Sequence, residues 1–384
     1  MTDLENILPL WRELEAAGAD YVLATIVAVE GPSYRKPGAR MLLARDGRRA
    51  GTVSGGCLEA EVARRAWWFT EAGPTVERYS TVPDDGDMPY GSGCGGVVYI
   101  LLERRTTALP VLTALEAAFR ARVPLAIATV LEGPRIGSRA FYGLSREQSE
   151  ESAEKPDHQL TSDLHDLAEL AFLRKQALDR ITEPSGASTR VWVDYRPARP
   201  GLWIFGAGDD AKPVLRFARG LGWFVAVCDG RADLATRERF QEADQVHVLT
   251  KAELPASLPA HFDLRPTDAA IVMTHSFEQD SRILAMLLRG SISPSLGYLG
   301  VLGPQRRTRD MLAEAARLNH HLRPEEQADQ WLTDLHAPTG LDLGAETPAT
   351  IALSILAEIQ RVLTGATALP LHEVRAAKAQ VVPH

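Results

Sequence analysis

Apolar positions in Leu4 to Ala17 fall at Leu4, Ile7, Leu8, Trp11 and Leu14 with polar residues between them, a helical period that Gly18 closes. Tyr21 to Val29 is instead a run rich in Val, Ile and Thr that stops at Glu30-Gly31-Pro32, which predicts a buried strand. Ala39 to Ala44 and Arg49 to Val53 flank Asp46-Gly47, a hairpin signal. After Ser54-Gly55-Gly56-Cys57 the spacing Leu58, Val62, Ala66, Phe69 predicts a helix ending near Gly73. A second Gly-rich loop, Gly91 to Gly96, leads into a strand from Val97 to Leu102. A helix-like stretch, Leu112 to Arg122, then runs into Leu125 to Leu131 and Glu132-Gly133-Pro134, a faint echo of the first helix, strand and turn. Ser145 to Asp163 has almost no apolar residue and reads as an exposed loop. A helical stretch to about Ile181 follows, then a strand from Val191 to Tyr195, and Pro197 to Pro200 marks a boundary.

Beyond that boundary, strand and helix patterns alternate. Strands are expected at Leu202 to Phe205, Phe224 to Cys228, Gln245 to Leu249, Ala269 to Met273 and Tyr298 to Leu302. Helices are expected up to Leu221, near Ala232 to Ala243, at Asp280 to Leu288, from Thr308, and at Ala349 to Leu363. That succession predicts a doubly wound parallel sheet. The fold class is α/β, an N-terminal mixed α/β domain (1–144), a flexible insertion with a connecting helix and strand (145–198), and a C-terminal Rossmann-like domain (199–384).

A length of 384 residues with 45% hydrophobic and 24% charged residues suits a globular chain of two or three domains. The 42 basic and 50 acidic residues leave a net charge of −8, which argues against nucleic acid as a main partner. The three cysteines, Cys57, Cys94 and Cys228, form no C-x-x-C pair, so neither a disulfide framework nor a structural zinc site is indicated. No apolar run approaches the roughly 20 residues of a membrane span, and the N-terminus lacks a signal-peptide pattern. The expectation is a cytoplasmic protein, with a homodimer as the default assembly.

Two places carry the candidate chemistry. In Gly206-Ala-Gly208-Asp-Asp-Ala211 a strand turns into a helix through G-x-G-x-x-A, a turn suited to a pyrophosphate. Asp229 ends the next strand, where an acid can accept ribose hydroxyls, and Arg231 could meet a 2′-phosphate. The alternative is a structural turn in which Asp209 and Asp210 cap the helix and no dinucleotide binds. At Ser54-Gly55-Gly56-Cys57-Leu58-Glu59 two glycines free backbone amides for an anion, and the thiol falls at a helix start, where its pKa drops. An inert buried cysteine is the other reading. Cys94, flanked by glycines, could approach Cys57 or could mark a tight turn. Arg35, Lys36 and Arg40 read as a cationic loop that could hold an anion, and Arg306, Arg307 and Arg309 repeat that logic after Gly303-Pro304. His275 at a strand end, and His336 and Asp342 in the loop before the last helix, are further candidates to face a cleft.

Taken in order, these motifs resemble one family, the XdhC/CoxI proteins, the xanthine dehydrogenase accessory factors that handle molybdenum cofactor. The stretches that carry the resemblance are Gly31 to Met41, Ser54 to Glu59, Cys94-Gly-Gly, Gly206-Ala-Gly208, Asp229-Gly-Arg231, Thr274-His275 through Asp280, Tyr298 to Gly303, and Gly340 to Pro348 with the helix behind it. The resemblance implies a chaperone more than a catalyst. It would bind a molybdopterin-type cofactor, favour the sulfurated form with a cysteine desulfurase, and deliver it to an apo-molybdoenzyme of the xanthine dehydrogenase, aldehyde oxidoreductase or carbon monoxide dehydrogenase type. Cys57 and Glu59 match the family's signature turn, and Gly206, Gly208 and Asp229 its nucleotide-fold turn. Where many members have a histidine soon after Gly-x-Gly this chain has Asp209, and two residues after Thr-His it has Phe277, which leaves metal coordination there open. The competing reading is an NAD(P)-dependent oxidoreductase built on Gly206, Gly208, Asp229 and Arg231. The cleft between the two domains is the expected pocket.

Overall fold

β1 (Tyr21–Glu30) is the central strand of a five-stranded antiparallel sheet, and its apolar run is continuous because both of its faces are buried. The computed structural model describes residues 3–56, 58–80, 95–144, 158–182, 189–250, 262–288 and 296–374. The strand order is β3-β2-β1-β5-β4, with β2 (Arg40–Ala44), β3 (Arg49–Gly51), β4 (Thr75–Ser80) and β5 (Val97–Arg104). Tyr21 and Leu23 face α1 (Asp3–Ala16) and α3 (Arg105–Ala121), while Val22, Ala24 and Ile26 face α2 (Glu59–Phe69). Each fully buried leucine or valine of these faces contributes about 1.5–3 kcal/mol.

A second antiparallel sheet has the order β7-β6-β9-β8, from β6 (Leu125–Val130), β7 (Arg139–Tyr142), β8 (Leu178–Thr182) and β9 (Thr189–Arg196). It packs against α4 (His158–Arg174) through Ala126, Ala128, Leu164 and Ala168. These elements make the first of two units, Met1–Arg199.

Three sequence expectations change in this unit. The helix expected from Leu112 begins at Arg105, because Pro110 lies early in α3, where a missing N–H removes one bond and Ala108, Val111 and Leu112 still bury together. Residues 158–163 are helical, and the part of the expected loop at 145–157 lies outside the described residues. The helical stretch expected to about Ile181 stops at Arg174. Lys175 turns left-handed (φ 54), and Leu178–Thr182 pairs with β9 as a strand.

The second unit, Pro200–His384, is built on a fully parallel five-stranded sheet. Its order is β12-β11-β10-β13-β14, with β10 (Gly201–Phe205), β11 (Phe224–Asp229), β12 (Gln245–Val248), β13 (Ala269–Val272) and β14 (Tyr298–Val301). The chain reverses direction across the sheet between β10 and β13, the switch point at which open α/β sheets bind ligands. α5 (Ala211–Gly220) and α9 (Pro348–Thr364) cover one face. α6 (Phe277–Leu287), α7 (Gln305–Leu318) and α8 (Pro324–Asp334) cover the other. The helix expected near Ala232 to Ala243 is a chain of turns, and Ala235 and Phe240 plug the core from it without a helical repeat. Among the described residues no helix is long and apolar enough to cross a membrane.

Candidate functional site

Ser54 organises the glycine turn of the first unit. Its hydroxyl donates to the Glu59 carboxylate and accepts from the N–H groups of Gly56 and Leu58, both at 3.1 Å. Its own N–H donates to Glu59 Oε1 at 2.8 Å. Glu59 opens α2, where the helix end favours a carboxylate. Burial works to raise its pKa, but the hydroxyl and N–H of Ser54 together with further backbone hydrogen bonds outweigh burial and hold it below the ordinary value.

Gly55 and Gly56 are exposed. Tyr34, 72% exposed, lies beside Gly55, where a Cβ would meet its ring at 3.7 Å. A Cβ on Gly96 would run into the Pro32 carbonyl, so only glycine lets that second turn lie against Gly31–Pro32. The loop after β1, the Ser54–Gly56 turn and the start of β5 therefore meet at one end of the sheet. Cys57 and Cys94 lie outside the described residues.

The expected cationic loop is used differently. Arg35 pairs with Asp3, while Lys36 is exposed. Arg40 is buried and pairs with Asp194 of the second sheet at 2.8 Å, and it donates to the Gly38 carbonyl at 3.1 Å. Burial pushes its pKa down to about 10 against the pull of Asp194.

Replacing Ser54 with alanine should destabilise the first unit by about 1–2 kcal/mol, since it leaves the N–H groups of Gly56 and Leu58 without their acceptor and Glu59 short of a donor. Urea unfolding of the variant checks this. Glu59 has a depressed folded pKa, so its contribution is present above the unfolded value and disappears as pH falls through the folded one. The gap between wild type and variant should therefore narrow below about pH 4.

The second cluster lies at the carboxyl edge of the parallel sheet. Gly206 follows β10 with φ +143, and its N–H donates to the Cys228 carbonyl at 2.8 Å. Asp229, fully buried at the end of β11, accepts from the Ala207 N–H at 2.7 Å and from the Arg231 N–H at 2.9 Å. It also takes the Arg231 guanidinium, whose Nε lies 2.9 Å from Oδ1 and whose second nitrogen lies 2.7 Å from Oδ2. Burial opposes its charge, yet these donors keep its pKa below the ordinary value. The carboxylate expected to accept ribose hydroxyls thus already has protein donors on both oxygens, and it ties the glycine turn to β11. The neighbouring Cys228 thiol is buried, and burial followed by the Asp229 charge pushes its pKa up, which keeps it protonated and unreactive.

Asp209 and Asp210 do not cap α5. Asp209 is exposed and pairs with Lys212 at 2.7 Å and Arg239 at 3.1 Å, and Asp210 makes no side-chain cap bond. Asp210 instead meets His275 Nε2 at 2.7 Å. His275 follows β13 in a left-handed conformation (φ 64), rare for a residue with a side chain, and presents its ring to this edge. Next to it, buried Asp280 accepts from the Thr274 hydroxyl at 2.6 Å and from Arg307 at 2.7 Å. Of the predicted residues, the structure thus brings together Gly206, Gly208, Asp229, Arg231 and His275.

Asp342 is exposed on the loop before α9. That loop is anchored by a residue the sequence reading passed over. Glu358 accepts from the Gly340 N–H and the Tyr298 hydroxyl, both at 2.7 Å, and contacts His336 Nδ1 at 3.0 Å. Its signal was there to be read: Ser354 and Glu358 are polar residues at i, i+4 among Ile355, Leu356 and Ile359, where an apolar stripe is expected. Among the described residues no group of three or more His, Cys, Asp or Glu could hold a metal ion.

A parallel sheet in Rossmann order, with its glycine turn, acid and strand-end histidine on the carboxyl edge, defines a Rossmann-domain protein, here preceded by a mixed α/β unit with an exposed glycine turn. Family models agree: residues 14–80 match the XdhC and CoxI family and residues 202–359 match the XdhC Rossmann domain. The chain belongs to the XdhC and CoxI family. It is 31% identical over 345 residues to a probable xanthine dehydrogenase subunit of Bacillus subtilis (strain 168), covering 88% of this chain and 92% of that one. It is 24% identical over 375 residues to the molybdenum cofactor insertion chaperone PaoD of Escherichia coli (strain K12), covering 94% and 89% of the two chains. A crystal structure described as a xanthine dehydrogenase from Bacillus halodurans superposes with a TM-score of 0.68 at 29% identity, over 96% of this chain and 97% of that chain.

Proposed function

We propose that this protein is a maturation chaperone that binds a molybdopterin-type cofactor and delivers it to an apo-molybdoenzyme of the xanthine dehydrogenase, aldehyde oxidoreductase or carbon monoxide dehydrogenase type. The observation that carries the reading is the Ser54–Glu59 turn: two exposed glycines, one of them against an exposed tyrosine ring, within the segment matched by the family model. The similarity to a molybdenum cofactor insertion chaperone over most of both chains supports it.

The residues present fit such a group. Tyr34 offers a flat ring to a pterin and the glycines leave the backbone open to a phosphate or pterin edge, while Cys57, next in the sequence, would add a soft sulfur ligand. Ser54 and Glu59 brace the turn from inside. When bound, the cofactor supplies the molybdenum chemistry that its client enzyme uses. In this reading the protein holds and transfers the cofactor rather than turning over a substrate, and a cysteine desulfurase is the source of the sulfur that activates it. The protein works in the cytoplasm as a homodimer.

The test is anaerobic titration of purified molybdenum cofactor into the wild type and Cys57→Ala, beside NAD and NADP. Stoichiometric pterin binding is expected, weakened about tenfold or more by the substitution, as befits one lost charge-assisted contact. Absence of pterin binding together with micromolar dinucleotide binding would overturn the reading in favour of an oxidoreductase.

A further inference from the structure

The Rossmann order of the second unit and its G-x-G turn imply a dinucleotide whose diphosphate rests on the second glycine and the N-terminus of α5. The residues at that seat do not fit a diphosphate. A Cβ on Gly208 would run into Asp210 Oδ1, so the side chain of Asp210 folds back over the glycine that a phosphate needs bare. Asp210 is the residue before α5 and has helical backbone angles (φ −71, ψ −21), so its carboxylate is not drawn into a cap bond. The first N–H groups of the helix also close back on the turn, Ala211 to the Gly208 carbonyl and Lys212 to the Asp209 carbonyl, both at 3.3 Å. From across the switch point His275 reaches Asp210 Oδ2 at 2.7 Å and holds it in place.

We infer that Asp210, held by His275, is a specificity-determining residue that occupies the diphosphate seat of the Rossmann turn and turns away diphosphate-bearing nucleotides. The protein supplies its own anion where a ligand's anion would sit, so a diphosphate meets like charge at the one helix end that should attract it. The surrounding charges do not reverse this. Arg231, close enough to feel Asp210, is committed to Asp229, and Lys212 and Arg239 are committed to Asp209. This inference concerns the second unit alone and does not rest on the chaperone reading.

Calorimetric titration of ADP, NAD and adenosine into the full-length wild type, Asp210→Ala, Asp210→Ser and His275→Ala tests it, with circular dichroism confirming that each variant is folded. Both Asp210 variants should bind ADP and NAD about five- to thirtyfold more tightly than the wild type, the size expected from removing a like charge at a partly buried helix terminus. His275→Ala should show a smaller gain, and adenosine, which carries no phosphate, should bind all four proteins alike. Folded Asp210 variants with no gain for ADP would overturn the inference, whether or not the wild type binds. An equal gain for adenosine would overturn it too, since the effect would then not depend on phosphate.

Discussion

Asp194→Ala should lower the stability of the first unit by about 3–5 kcal/mol, the range for removing one partner of a buried ion pair. The carboxylate is 5% exposed and Arg40, its partner at 2.8 Å, is 6% exposed, so water cannot take over when it is lost. Arg196 also bonds Asp194, at 2.8 Å, and donates to the Gly38 carbonyl, so the same change loosens the loop leading into β2. Urea unfolding should show a lower midpoint at an unchanged slope. Replacing the pair together, as Asp194→Leu with Arg40→Met, should recover much of the loss, because no unpaired charge then stays buried. Burial works to raise the Asp194 pKa, but Arg196 and Arg40 overcome it and the folded value lies below the ordinary one. Its contribution is therefore present above the unfolded value and is lost as pH falls through the folded value, so wild type and variant should converge in acid, below about pH 4. A loss under about 1 kcal/mol at neutral pH would show the pair to be replaceable by water.

Gly206→Val should be as damaging to the second unit, at about 3–5 kcal/mol, with Gly206→Ala close behind. The position has φ +143, and a Cβ would sit 2.5 Å from the carbonyl oxygen of Met273 and 2.7 Å from its carbonyl carbon. Those atoms are backbone and cannot swing away. Met273 is itself pinned, its N–H donating to the Phe205 carbonyl at 2.8 Å, while Gly206 is held on its other side by Cys228. Thermal unfolding followed by circular dichroism should register a fall in Tm of about 8–15 °C for a unit of this size. A valine variant that melts with the wild type would mean that the turn can relax and that the close approach of β10 and β13 is not needed for folding.

The elements that could be read from the chain share one property: their signal is local. The continuous apolar run of Tyr21 to Ile26, the Asp46-Gly47 turn, and the succession of short apolar strands and periodic helices after Leu202 are all set by residues close together in the chain. The misread segments have separate causes. Ala235 and Phe240 enter the core from turns without a period, and α3 starts before Leu112 because its buried face tolerates the one bond missing at Pro110. The glycine turns were legible as turns, and the ordered motifs identified the family.

What each polar group does there was decided elsewhere. Asp229 was legible as an acid at a strand end, but only the approach of Ala207 and the return of Arg231 commit both of its oxygens. Arg40 sits in a basic stretch of sequence, yet Asp194, which neutralises it, arrives from a different sheet. Asp210 belongs to a helix-start motif, and His275, from beyond the next parallel strand, determines where its carboxylate points. The sequence alone thus determined the α/β class, the parallel sheet of the second unit, the glycine turns and the family, because local sterics and burial patterns act between near neighbours. The tertiary structure alone decided which charges are paired and which seat stays closed, because a hydrogen bond or ion pair joins groups that only folding brings within about 3 Å.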